Sequence, residues 1–159
     1  MRILRATNSD IPEIIQNVEA LVSELCDQPF KVDESEILPF LKNAINDCDY
    51  VVLLAKDQDD QVCGLITLGK SGAVYTGGKF GVIHEFYIDP TKRSNGVGKL
   101  LLDEAKKLCT EFFWKRLEVG APAYPEWRRT KEFYLREGFA EIGPRLRWKA
   151  EPVVQPIDA

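Results

Sequence analysis

Phe80 to Ile88 is the clearest strand in the chain. It stops at Asp89-Pro90, and a polar stretch punctuated by glycine, Thr91 to Gly98, leads into a helical face. This strand–loop–helix unit constrains the fold more than any other stretch. A run this rich in Phe, Val, Ile and Tyr needs sheet neighbours, and a proline at its end cannot extend the ladder. Val97, Leu100, Leu101, Ala105, Leu108 and Phe112 then recur at helical spacing, so the helix lies on the sheet. Gly96 and Gly98 let the backbone approach a ligand closely. The helix start points unpaired N–H groups and the positive end of its dipole into the loop. Lys92, Arg93 and Lys99 add charge at the same place. Such a loop suits a phosphate or pyrophosphate. It is neither a Walker A loop nor the dinucleotide fingerprint G-x-G-x-x-G. A plain strand-to-helix turn with a solvated basic rim is the alternative at this point.

The rest of the chain reads as a mixed α/β (α+β) sheet with helices on its faces. Arg2 to Ala6 is a first strand, and Thr7 to Asp10 offers helix caps. Ile11, Ile14, Ile15, Val18, Leu21, Val22 and Leu25 mark one face of a helix ending near Cys26. Ile37, Leu38, Leu41, Ala44 and Ile45 mark a second, capped by Asp33 to Ser35. Tyr50 to Ala55 and Val62 to Leu68 form a hairpin around the polar turn Lys56 to Gln61. The second strand extends through Ala73 to Thr76, with Gly77-Gly78 as the next turn. Arg116 to Val119 is a short strand, and Ala121 to Pro125 is a break. Glu126 to Glu137 is a helix stopped by Gly138, and Phe139 to Ile142 and Arg145 to Lys149 are final strands. The order is β-α-α-β-β-β-α-β-α-β-β. The expected organisation is one domain over residues 1–150 and a loosely held tail over residues 151–159.

Charge narrows the partners. The chain has a formal net charge of −4, which disfavours general nucleic-acid binding. The longest apolar run, Tyr50 to Ala55, falls far short of the roughly 20 residues of a membrane span. The N-terminus lacks the pattern of a secretory signal, so a cytoplasmic setting is expected. Cys26, Cys48, Cys63 and Cys109 form no C-x-x-C pair, and His84 is the single histidine. No metal site is expected, and reduced packing cysteines fit better.

Three motifs together carry a more specific reading. Arg93-x-x-Gly96-x-Gly98 resembles the acyl-CoA pyrophosphate loop of the GNAT N-acetyltransferase superfamily. His84-Glu85-Phe86-Tyr87-Ile88-Asp89-Pro90 is similar to the end of that family's fourth strand. Phe133-Tyr134-Leu135-Arg136-Glu137-Gly138-Phe139 is similar to its FY-x-x-x-GF segment. The element order matches over nearly the whole chain. Ser94 stands where the family often has another glycine, and Trp127 where many members have an asparagine that touches the cofactor.

The resemblance implies an acetyl-CoA-dependent N-acetyltransferase. The amides of Arg93, Ser94, Asn95, Gly96, Val97 and Gly98 would hold the pyrophosphate, with Lys99 or Lys92 near other phosphate groups. The backbone of Phe86, Tyr87 and Ile88 would pair with the pantetheine arm in a slot between the fourth and fifth strands, opened by a bulge in the fourth. An amine arrives mostly protonated and the departing thiolate wants a proton, so a base and an acid are both useful. Glu85 is the first base candidate and His84 the rival. Strand neighbours face opposite sides, so both can enter the site only across a bulge. Tyr134 matches the family's acid beside the thioester sulfur. Both substrates can sit together, which makes direct attack sufficient.

A non-catalytic acyl-CoA-binding module of the same fold is the alternative, and a nucleotide-phosphate-binding protein a third. The acceptor is a small-molecule or peptide amine. Asp27, Asp33, Glu34 and Phe30, in the segment that borders the acceptor in this family, hint at a cation, and a solvated helix cap explains them equally well. Phe112-Phe113-Trp114 reads first as cover for the sheet and second as a homodimer contact.

Overall fold

The near-continuous aliphatic runs at the chain's centre become the middle of a five-stranded sheet. A computed structural model describes residues 1–122 and 127–151. The strands are β1 (Arg2–Arg5), β2 (Tyr50–Lys56), β3 (Val62–Ala73), β4 (Gly78–Ile88) and β5 (Leu117–Val119), in the order β1-β2-β3-β4-β5. All neighbours run antiparallel except β4 and β5, which are parallel. The helices are α1 (Ile11–Cys26), α2 (Glu34–Ile45), α3 (Val97–Glu111) and α4 (Arg128–Arg136). Two compact units make up the chain. Met1–Pro122 holds every described strand and α1 to α3, and Ala123–Ala159 holds α4. No helix among the described residues is long and apolar enough to cross a membrane.

Alternation along β2 and β3 splits the apolar residues between two faces. Val52, Leu54 and Leu65 pack with Ile11, Ile14 and Ile15 of α1 and Leu41 of α2. Val51, Leu53, Ile66 and Leu68 face the other way and are just as buried. There α3, which touches β2, β3 and β4, sets down Leu101, Leu102 and Ala105. Trp114 closes the same side over Gly81, where an added Cβ would lie 2.5 Å from the indole. Its neighbour Phe113 is exposed. Cys63 is buried as a packing residue, whereas Cys26 and Cys48 are exposed.

Asp10 ties the entry of α1 to the sheet. Its Oδ2 accepts the Thr7 N–H at 2.8 Å, and its Oδ1 meets Lys56 Nζ at 3.2 Å. Burial pushes the Asp10 carboxyl up, but the Thr7 N–H and the Lys56 ammonium together outweigh it and hold it below the usual range. A lowered native value adds stability that is complete above the unfolded value and is lost as pH falls through the native one. Asp10→Asn is therefore expected to cost about 1–3 kcal/mol at neutral pH. The gap from wild type should shrink below about pH 4. Urea unfolding at both pH values measures it, and a gap independent of pH would refute the assignment.

Two expectations from sequence are corrected. Phe139 to Ile142 and Arg145 to Lys149 form no strands, so the described order ends at α4. A strand needs a ladder partner, and here Gly143 takes a φ of 134° before Pro144, which has no N–H to give. Ile142, Leu146 and Trp148 are exposed accordingly. The turn between β3 and β4 is Val74 to Gly77 rather than Gly77-Gly78, because Thr76 Oγ1 bonds the carbonyls of Ala73 and Gly78 and closes it. The expected break at Ala121–Pro125, the helix start at Glu126 and the tail fall largely outside the described residues.

Candidate active site

The register of β3 against β4 slips by one residue. Thr67 faces Glu85 and Leu68 faces Ile83, so His84 is the extra residue of a β-bulge. Thr67 and Gly69 are two apart on β3 and share a face. The Thr67 hydroxyl donates to Glu85 Oε2 and accepts the Glu85 N–H at 2.9 Å. The His84 ring lies over Gly69, where an added Cβ would sit 2.4 Å from Nε2. The bulge thus brings His84 and Glu85 to one face, the face of α1 and α2. His84 is exposed and Glu85 half-buried.

The His84 imidazole also stacks on Tyr50, with centroids 6.0 Å apart and planes 13° from parallel. Phe40 meets the other side of Tyr50 edge-on at 5.6 Å. Burial first, then the Glu85 charge, pushes the Tyr50 phenol up to about 12. It stays protonated at any physiological pH. Neither Tyr50 nor Thr67 stands out in the sequence, because both enter the cluster only through register.

Past the bulge, β4 runs on without β5. The parallel ladder ends at Ile83 and Val119, and Glu85 to Ile88 lie beyond it. Asp89 then anchors the turn. Its N–H reaches the Cys63 carbonyl at 2.8 Å, and its Oδ1 accepts the Thr91 N–H and hydroxyl at 2.8 and 2.7 Å. The backbone becomes left-handed at Ser94 (φ 65°) and again at Gly96 (φ 80°). Gly96 is the N-cap of α3 and no side chain caps that end. Buried Val97 pins the helix start while Arg93 to Gly96 stay exposed. A Cβ at Gly96 would meet nothing within 4 Å, so the turn's φ, rather than space, favours glycine there.

Arg93 does not offer its guanidinium to the loop. It grips Glu24 of α1 with two bonds of 2.8 and 2.7 Å, and its Nε bonds the Ile88 carbonyl at 2.9 Å. It also lies over the Tyr87 ring, 5.5 Å from the centroid. The Arg93 hydrogen bonds hold the Glu24 carboxyl below its usual range. Lys99 pairs with Asp103 at 3.1 Å.

Tyr134 belongs to the other unit. There it packs between Phe133 and Phe139, with centroids 5.7 and 5.4 Å away, and burial pushes its phenol up. Trp127 precedes α4 as its N-cap and makes no side-chain cap bond. Of the acidic residues expected to face an acceptor, Asp33 caps α2 through the Ser35 N–H at 3.0 Å. A cavity of about 570 Å³ opens between α1 and the α1–α2 connection, bordered by Ile15, Glu19, Phe30 and Leu38. Among the described residues no three His, Cys, Asp or Glu side chains gather where a metal ion could be held.

The acetyltransferase (GNAT) domain profile matches residues 48–141. No curated protein sequence matches the chain. Among solved structures, an aminoglycoside acetyltransferase from an uncultured soil metagenomic sample is similar with a TM-score of 0.75 at 20% identity, covering 94% of this chain and 96% of that one. A ribosomal-protein-alanine N-acetyltransferase from Brucella melitensis biovar Abortus gives 0.72 at 17%, covering 94% and 100%. An aminoglycoside 6'-N-acetyltransferase from Acinetobacter haemolyticus gives 0.74 at 16%, covering 96% and 99%. At these identities the likeness establishes the fold.

Proposed function

Since the chain belongs to the GNAT acetyltransferase family, we propose that it moves an acetyl group from acetyl-CoA to a primary amine by direct attack within a ternary complex. One observation carries this reading: a single strand, β4, leads from a bulge that turns out Glu85 to a glycine loop at an uncapped helix start. Strand rise sets about 13 Å between Glu85 and Asp89, a span along which an extended pantetheine arm can lie. The amides from Arg93 to Gly98 bind the pyrophosphate. Lys99 lies near the outer phosphates, and Phe86 to Ile88 flank the arm.

The chemistry is then positioning and proton handling. The amine arrives as an ammonium and gives one proton to Glu85, which passes it to water. The freed nitrogen attacks the thioester carbon, a C–N bond forms and the C–S bond breaks. Tyr134, whose burial keeps it protonated, gives its proton to the leaving sulfur and is restored by the second proton shed by the nitrogen. The functional unit is residues 1–150. A cationic acceptor is favoured by the net negative charge and by relatives named for aminoglycoside and ribosomal-protein acetylation.

Thermal unfolding with acetyl-CoA tests the reading. At a hundredfold excess over Kd, binding adds about 2.7 kcal/mol. For a domain of this size that raises the Tm by about 5–11 °C. A flat response sinks the proposal. CoA thiol release across a panel of amines then separates enzyme from binding module, because binding without release by any amine favours the module.

A further inference from the structure

We propose that Thr67 is the positioning residue that aims the base. This rests on the reading of Glu85 as the base and goes beyond it by naming what fixes its carboxylate. A bulge ordinarily leaves the strand loose where the extra residue sits. Here the Thr67 side chain takes over from the ladder. Its oxygen accepts the Glu85 N–H at 2.9 Å, and its single proton goes to Glu85 Oε2. Thr67 is 1% exposed, so no water competes for either bond. One hydroxyl therefore holds the backbone and the carboxylate of the same residue, and a side chain gripped at both ends has little rotamer freedom.

The consequence is a division of labour within the carboxylate. Oε2 is engaged by Thr67, and among the described residues no hydrogen bond reaches Oε1. Oε1 is the oxygen left to receive the amine's proton. Position 67 needs a hydroxyl for both bonds, whereas packing alone in this buried strand would be met by any β-branched residue of the same shape. Valine has that shape and lacks the hydroxyl.

The test is a double-mutant cycle on the full chain, with Tm, acetyl-CoA Kd and steady-state kinetics for each variant. Thr67→Val is expected to lower kcat by about 10- to 100-fold, since misplacing a reacting group by about 1 Å costs as much. Acetyl-CoA Kd should stay unchanged. Thr67→Ser keeps the hydroxyl and should recover most of the loss. In a Glu85→Gln background, Thr67→Val should add no more than about twofold, because both changes remove the same function. Should Val prevent folding, Thr67→Ala is read in the same way. Near-normal turnover in Thr67→Val, equal losses in Val and Ser, or a full loss added on top of Glu85→Gln would each overturn the inference. An unimpaired Glu85→Gln would instead remove the base assignment itself, and this inference with it.

Discussion

Glu85→Gln should lower kcat by about 10²- to 10⁴-fold, the usual worth of a positioned general base. The carboxamide keeps the shape of the carboxylate, and its oxygen can still accept the Thr67 hydroxyl, so the bulge and the fold survive. What it cannot do is take a proton. Acetyl-CoA affinity should hold within about twofold, since an interaction made only in the transition state affects kcat rather than binding. Calorimetry for the cofactor and CoA release for turnover separate the two. His84→Ala decides between the two neighbours that the bulge brings together. The His84 ring is exposed and stacked on Tyr50, a placement that suits a wall of the acceptor site. A larger loss in His84→Ala than in Glu85→Gln would move the base to the imidazole.

Leu65→Ala should have the largest effect on stability. Leu65 is fully buried on the middle strand, opposite Leu54, in the cluster that receives Ile14 and Ile15 of α1. Truncating such a residue removes its transfer energy and leaves a cavity, about 2–5 kcal/mol together. At about 2–4 °C per kcal/mol for a domain of this size, the Tm falls by about 4–20 °C. The loss reaches the site as well, because Leu65 stands two residues before Thr67 on the same face. Leu65→Met, close in volume, should cost less than about 1.5 kcal/mol. Chemical unfolding of both variants checks this, and equal costs for Ala and Met would show that this side of the sheet is not tightly packed.

Local physics made much of this legible in the sequence. The apolar spacing from Ile11 to Leu25 located α1 to within a residue, and Asp89-Pro90 marked the end of β4. The glycine loop needed only its own residues and the helix after it. What stayed hidden depended on partners far away in the chain. The alternation near the C-terminus reads like two strands, but periodicity cannot supply a ladder partner. The bulge at His84 was expected somewhere in β4, yet its place is set by how Thr67 and Leu68 meet that strand. Thr67, Tyr50 and Glu24 carry no motif, and each matters through one neighbour fixed by tertiary packing.

The extra residue in β4 also makes chain length decide what this strand presents to the cleft. Ile83 faces α3, and across the bulge Glu85 faces α1, although the two are only two positions apart. Deleting the His84 codon would join Ile83 directly to Glu85, restore a regular ladder against Leu68 and Thr67, and leave the carboxylate on the α1 face while taking away the imidazole beside it. A one-residue shortening at this point would spare the packing on both faces and cost the cleft its histidine.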